Sequence, residues 1–312
     1  LTEEINPLFR ALLLLCLSLP AVAGDFALQT VQVNERVWAL VGPIGPRTYD
    51  NYGLNNNVGF VVTDAGVVLI DSGSSHSGAQ LIAQAIARVT PQPVRWVINV
   101  GIQDHRWLGN AYFSARGAEV IALQRTVQGP RAFAAQQVAA LKETLKDRFD
   151  GTEPYHAPAP LAGDHEPFAL GGVNFELHWL GDGHFAGDAA LWLPQDKIVF
   201  TGDLVYVDRM LGVLPGTRTA SWREAFRQLE QLGAVHVVPG HGSVCDMAKA
   251  RRDTGDYLDF LTDEIGAAVA AWEPLDEVVE RLGDAPQFKH LEHYDGWHRT
   301  NISRTYVEFE QR

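Results

Sequence analysis

Short apolar runs recur along this chain, each halted by glycine or a polar turn, and longer stretches of helical spacing lie between them. Residues 28–41 alternate apolar and polar positions before turning wholly apolar, and residues 59–63 and 66–70 are two β-rich segments. Asp64-Ala65-Gly66 between those two reads as a hairpin turn, so the chain opens as an antiparallel meander. Residues 77–89 have the spacing of a helix, residues 94–100 the length of a buried strand, and residues 119–123 form a further strand. A long amphipathic segment at 126–146 predicts a helix packed on a sheet. In residues 147–164, Pro154, Pro158 and Pro160 forbid regular structure and predict a loop over a site or a join between halves, with His156 and His165 solvated in it. Strands resume at 173–180, 189–193 and 198–200, and helices follow at 222–232, 246–272 and 275–282. The order β-rich then α occurs twice, which predicts two similar halves packed face to face.

Polar residues that interrupt this pattern gather at the ends of the predicted strands. The run at 94–100 feeds residues 96–110, WVINVGIQDHRWLGN, where Asp104 and His105 stand side by side at the start of a helix. Strand ends that feed helices are where α/β folds place their chemistry. Taken alone, Asp104 suits a helix cap as well as it suits a cation ligand. Asp71 ends the strand at 66–70, and its simplest role is to accept hydrogen bonds from loop amides. His76 lies on a loop parallel to that of Asp104 and is a candidate to reach the same site. In the second half, GDGHFAGD presents His184 and Asp188, TGD presents Asp203 and PGHG presents His241, each beside an apolar strand. Glycine permits tight backbone there, and a histidine pinned between two glycines is rarely a core residue. Asp104, His105, His184, Asp203 and His241 together form a nitrogen and oxygen donor set suited to zinc, less so to iron or manganese. His76, Gln103, Asp71 and Asp188 remain as extra ligands or supports.

Composition narrows the picture. At 312 residues and 46% hydrophobic, the chain can bury a full core. A net charge of −13 argues against nucleic-acid phosphate or an anionic membrane surface as partner, since both call for basic patches, and leaves a small-molecule substrate. The apolar segment ALLLLCLSLP followed by Ala21-Val22-Ala23 predicts a signal peptide at residues 1–23, cleavage after Ala23 and a periplasmic or secreted domain at 24–312. That segment is shorter than the ~20 residues of an ordinary membrane span, although Glu3 and Glu4 outweigh Arg10 and leave an uncleaved anchor open. Cleavage leaves Cys245 alone, as a packed thiol. Near the end, His290, His293 and His298 with Tyr294 and Trp297 form a polar-aromatic segment that either covers the domain or lines a substrate mouth.

The segments VVTDAGVVLIDSG, WVINVGIQDHRWLGN, GDGHFAGDAALWLP, IVFTGDLVYVDR and VVPGHG resemble, in that order, those of the metallo-β-lactamase superfamily. Within it the chain most resembles the SoxH-related branch, which includes the quinoprotein relay system zinc metallohydrolases. The resemblance implies a four-layer αββα sandwich, a metal site at the shared edge of two sheets and zinc-dependent hydrolysis. It also exposes a departure. Family members usually carry two histidines, spaced by one residue, just ahead of the Asp-His pair; those places hold Val100 and Ile102, or Gly101 and Gln103 if one residue is skipped. Asp104, His105 and His241 carry over to the second metal position, Asp203 to the bridging aspartate, and His184 to the remaining ligand of the first position. The first position then has two protein ligands, below the three typical of catalytic zinc.

One zinc per chain, in the second position, is therefore expected, with Asp104 or Asp203 orienting its water as a base and a small ester, thioester or related compound as substrate. Asp203 stands where one branch of antibiotic-hydrolysing members carries cysteine, which argues against β-lactams. If all four donors close around the metal, the chain becomes a non-catalytic metal-binding or assembly protein of a periplasmic redox system, with His184 left to bind substrate. An iron-dependent oxygenase is a third reading, weakened because relatives of that kind rely on the missing histidines.

Overall fold

The computed structural model describes residues 26–311, so the predicted signal peptide lies outside the described residues. The first half builds a six-stranded sheet in the order β1 (Gln29–Gln32), β2 (Val37–Val41), β3 (Val58–Thr63), β4 (Gly66–Ile70), β5 (Val94–Ile98) and β6 (Glu119–Ile121). Pairing is antiparallel from β1 to β4 and parallel from β4 to β6. The parallel crossovers carry α1 (His76–Ala87), then α2 (Asp104–Trp107) and α3 (Asn110–Ser114), and α4 (Gln124–Leu145) follows β6. The second half builds a five-stranded sheet from β7 (His165–Leu170), β8 (Val173–His178), β9 (Ala190–Leu193), β10 (Ile198–Phe200) and β11 (His236–Val238), in spatial order β11-β10-β9-β8-β7. It too is an antiparallel meander that ends in a parallel pair, β10 with β11, joined through α5 (Thr219–Gln231). The chain finishes with α6 (Met247–Ala250), α7 (Asp256–Ala270), α8 (Leu275–Leu282) and α9 (Tyr294–Glu310). Among the described residues no helix is long and apolar enough to cross a membrane.

The two sheets face each other over a core that includes Val61, Val68, Ile70, Ile98, Phe175, Leu177, Leu191 and Phe200. Gly59 makes this approach possible: a Cβ there would lie 2.1 Å from the Phe200 ring. Outside the first sheet, Phe60, Leu69 and Val97 pack with Ile82 and Ile86 of α1. Outside the second, Trp192, Val199 and Val237 pack with Trp222 of α5, Leu261 of α7 and Ile302 of α9. Sheets covered on both faces need strands buried on both faces, which is why β4 and β9 are continuous apolar runs with every residue buried. The result is the expected αββα arrangement of two similar halves.

Three elements differ from the sequence reading. His165 belongs to β7, not to a loop; β7 is an edge strand, and an edge is where a sheet tolerates a proline such as Pro167. The helix expected at 246–272 is interrupted by a π turn at Arg251–Gly255. α9 went unread because much of its buried face is polar, so apolar periodicity gives no sign of it. Its Asn301 side chain accepts from Val213 N at 2.7 Å and donates to Leu211 O at 2.8 Å, and His298 lies 2.9 Å from the Tyr257 hydroxyl.

Candidate metal centre

The strand ends converge at one edge of the sandwich, as the glycine-flanked polar residues predict. His105 sits in α2 after β5, Asp203 in the 3-10 turn after β10, and His241 directly beyond β11. Their ligand atoms lie within 4.8 Å of one another, and all three residues are buried. His105 Nε2 is 3.2 Å from Asp203 Oδ2, and His241 Nε2 is 3.2 Å from Asp203 Oδ1. Burial pushes the His241 imidazole down to about 3, so the ring is neutral. Its Nδ1 lies 2.9 Å from Asn55 O, an acceptor, and must therefore carry the proton. The Nε2 lone pair is then left facing a carboxylate oxygen, and two acceptors that close call for a cation between them. A buried set of two imidazoles and one carboxylate fits zinc, with the three protein ligands of an open site.

The other two expected ligands stand apart from this cluster. Asp104 Oδ1 accepts hydrogen bonds from the Arg47 guanidinium and, at 2.9 Å, from His105 N. Burial works to raise the Asp104 carboxyl, but the Arg47 charge and the His105 hydrogen bond hold it below its usual value. His184 is buried against Phe185, Tyr206 and Trp222, with ring centroids 4.7, 5.7 and 5.3 Å away. That burial pushes His184 down to about 4, so it too is neutral, and its Nδ1 has no hydrogen-bond partner.

Of the reserve residues, Asp71 takes the predicted role, accepting from Val100 N at 3.0 Å from a left-handed backbone at φ 63°. Asp188 accepts from Phe185 N at 2.7 Å and from Ile102 N at 3.4 Å, which ties the His184 turn to the Asp104 loop. His76 does not reach the site: as the first residue of α1 it packs on Tyr112, ring centroids 5.1 Å apart, and beside Gly151.

The residue that sequence reasoning missed is Arg106. Its side chain is 1% exposed, yet each of its five N–H groups has an acceptor. Nη1 donates to Asp71 Oδ2 and Asn57 O, both at 3.0 Å. Nη2 donates to Asp203 Oδ1 at 2.6 Å and Gly240 O at 3.2 Å, and Nε to Asp203 Oδ2 at 3.4 Å. One guanidinium thus links β3, β4, β10 and β11 at the site edge. Burial works to raise the Asp203 carboxyl, but Arg106 and His105 hold it well below the usual carboxylate range. A Cβ at Gly101 would lie 2.9 Å from Arg106 Cγ, so a side chain at 101 would require the arginine to shift. Val100 and Ile102 are core residues, whereas Gln103 faces the site.

A cavity of about 500 Å³ opens onto His105, His184 and His241, with Arg47, Asn55, Gln103, Tyr206 and Arg209 in its walls. His293 and Trp297 also line it, so the polar-aromatic segment forms part of the mouth, while His298 is a core residue. Arg209 Nη1 donates to Ile44 O at 2.9 Å and its Nε has no partner. Among the described residues no carboxylate lies within ion-pair distance of it. This leaves a cation facing the cavity of an acidic protein.

Comparison with known proteins agrees with this geometry. Residues 51–241 match the model of the family described as the metallo-beta-lactamase superfamily. The chain is 23% identical over 226 residues to metallo-beta-lactamase IND-1 of Chryseobacterium indologenes, covering 71% of this chain and 84% of that protein. It is 25% identical over 224 residues to the 2,4-dinitroanisole O-demethylase subunit alpha of Nocardioides sp. (strain JS1661), covering 71% of this chain and 60% of that protein. Among solved structures, the stereoselective inverting sec-alkylsulfatase Pisa1 from Pseudomonas sp. superposes with a TM-score of 0.72 at 17% identity, over 90% of this chain and 50% of that one.

Proposed function

We propose, from the premise that this chain belongs to the metallo-β-lactamase superfamily, that it is a hydrolase with one zinc held by His105, Asp203 and His241, cleaving a small ester or thioester that carries an anionic group. The observation that carries the reading is the three-donor cluster opening onto a cavity with an unpaired arginine. Names of the relatives differ in their chemistry, so the substrate class rests on the cavity. When bound, zinc would supply a Lewis acid and lower the pKa of a water toward ~7.

This chain's own residues do the rest. Arg209, whose side chain lines the cavity, binds the anionic end of the substrate through its guanidinium charge and sets its orientation. Arg47, held by Asp104, gives the cavity a second positive wall. The Asp104 carboxylate is engaged by Arg47 and does not line the cavity, so its part is to orient His105 and Arg47 rather than to act as base. His184 is a neutral imidazole at the cavity wall, and the burial that pushes it down to about 4 suits it to accept a hydrogen bond there rather than to hold a proton. Tyr206 and Trp297 add aromatic wall to the cavity.

The location follows the signal reading: we propose an exported, periplasmic protein. The test is turnover of aryl esters with and without a carboxylate, by the full chain stripped of metal and then reloaded with zinc. Activity that appears only after zinc, and falls when His105 or His241 becomes alanine, supports the proposal. Equal turnover in the stripped and reloaded protein contradicts it.

A further inference from the structure

The hairpin of β7 and β8 carries a second cluster of ligand-type side chains, on the edge of the sheet farthest from β11 and outside the cavity. His165 and His178 are directly paired across the two antiparallel strands, which places side chains of one face within ~5 Å at Cβ. Glu176 precedes His178 by two positions on the same strand and so shares its face. The three converge. Glu176 Oε2 lies 3.0 Å from His165 Nε2 and 3.1 Å from His178 Nε2. The two imidazoles stack with centroids 4.2 Å apart and planes 14° from parallel. Ligand atoms of all three lie within 4.8 Å of one another.

We propose that His165, Glu176 and His178 form a second, solvent-facing site for a divalent transition metal. Two imidazoles and one carboxylate select borderline cations such as Zn²⁺ and Cu²⁺ over Mg²⁺ or Ca²⁺, which prefer all-oxygen sets. Rigidity comes from strand register, since the donors sit on paired residues rather than on a loop, and the cost of assembling them is met when the hairpin forms. His165 is the open side, with 55% of its side chain exposed against 28% for Glu176 and 12% for His178. Water therefore completes the coordination, and the ion exchanges readily with solvent.

The test is calorimetric titration of the metal-stripped full chain with Cu²⁺, in the native protein and in H165A, E176Q and H241A. The first two variants alter an exposed and a partly exposed side chain and keep the fold, which circular dichroism checks. H241A disables the buried centre and leaves the hairpin intact. In the H241A background one Cu²⁺ per chain is expected to remain. Adding H165A or E176Q should weaken that binding by at least about 100-fold, since even ligand supports cost 10–100-fold. Electron paramagnetic resonance of the H241A complex should show two coupled nitrogens. Unchanged stoichiometry and affinity on adding H165A and E176Q would overturn the proposal, as would absence of bound copper in H241A. Neither outcome depends on the buried centre or on hydrolytic activity.

Discussion

Replacing Arg106 with methionine keeps the alkyl packing against Gly101 and removes the guanidinium alone. Five hydrogen bonds disappear, and the buried carboxylates of Asp71 and Asp203, whose side chains are 2% and 0% exposed, lose their shared cation. Breaking a buried ion pair by removing one partner costs roughly 3–5 kcal/mol. For a chain of this size each kcal/mol shifts Tm by roughly 2 °C, so the metal-stripped variant should melt about 5–10 °C below native. Zinc gives a second readout. With Arg106 gone, Asp203 has no resident competitor, so zinc at the centre should bind more tightly and stabilise the variant more than native at equal concentration. R106K keeps a charge but cannot reach five acceptors, and should fall between the two. Thermal unfolding with and without zinc is the assay. A loss under about 2 °C for metal-free R106M would refute the reasoning, as would a smaller zinc shift in R106M than in native.

The cavity and the periphery supply further expectations. R209A should raise KM for carboxylated aryl esters by about tenfold or more, the worth of a charge-assisted hydrogen bond, and leave neutral esters nearly unchanged; equal effects on both would remove Arg209 from substrate recognition. N301A leaves Val213 N and Leu211 O without their partner and should cost roughly 2–3 kcal/mol in urea unfolding, with the Gly212 and Leu214 wall of the cavity loosened; an unchanged midpoint would contradict this. Burial pushes the Cys245 thiol up to about 12, so at pH 8 only about one part in ten thousand is thiolate. Its reaction with a disulfide reagent should be slow in the folded protein, fast after unfolding, and should rise about tenfold per pH unit while the fold persists; rapid reaction at pH 8 without unfolding would be incompatible with the packing. Intact mass of the exported protein should begin at Gly24, and retention of residues 1–23 would rule out the predicted cleavage.

What could be read from the chain alone was the placing of donors, because a strand that stops at Gly-Asp or Gly-His-Gly has few other uses. Asp203 and His241 were legible in that way, His105 through its pairing with Asp104 beyond the run at 94–100, and so was the sandwich, whose apolar runs demand cover on both faces. How the donors turn was not legible. Asp104 faces Arg47, which lies on the loop after β2, and no periodicity reports where a loop side chain points. Arg106 was hidden for a related reason. In HRWLG an arginine at a helix start looks like a surface residue, and only the assembly of four strand ends around it supplies five acceptors. A signal existed in the neighbouring Trp107 and Leu108, both buried, since a helix of one turn packed on that side leaves little room for a solvated arginine. His165 was misplaced because it directly follows the proline-rich stretch at 147–164, and the edge strand it opens gives no continuous apolar run.

Anomalous diffraction from crystals of the full chain grown with zinc tests the central claim most directly. A peak is expected between His105 Nε2, the Asp203 carboxylate and His241 Nε2, at 2.0–2.2 Å from each as zinc requires, and it should vanish in H241A. Density at His184 alone, or an empty space among those three side chains while zinc binds elsewhere, would contradict the assignment of this cluster as the metal centre.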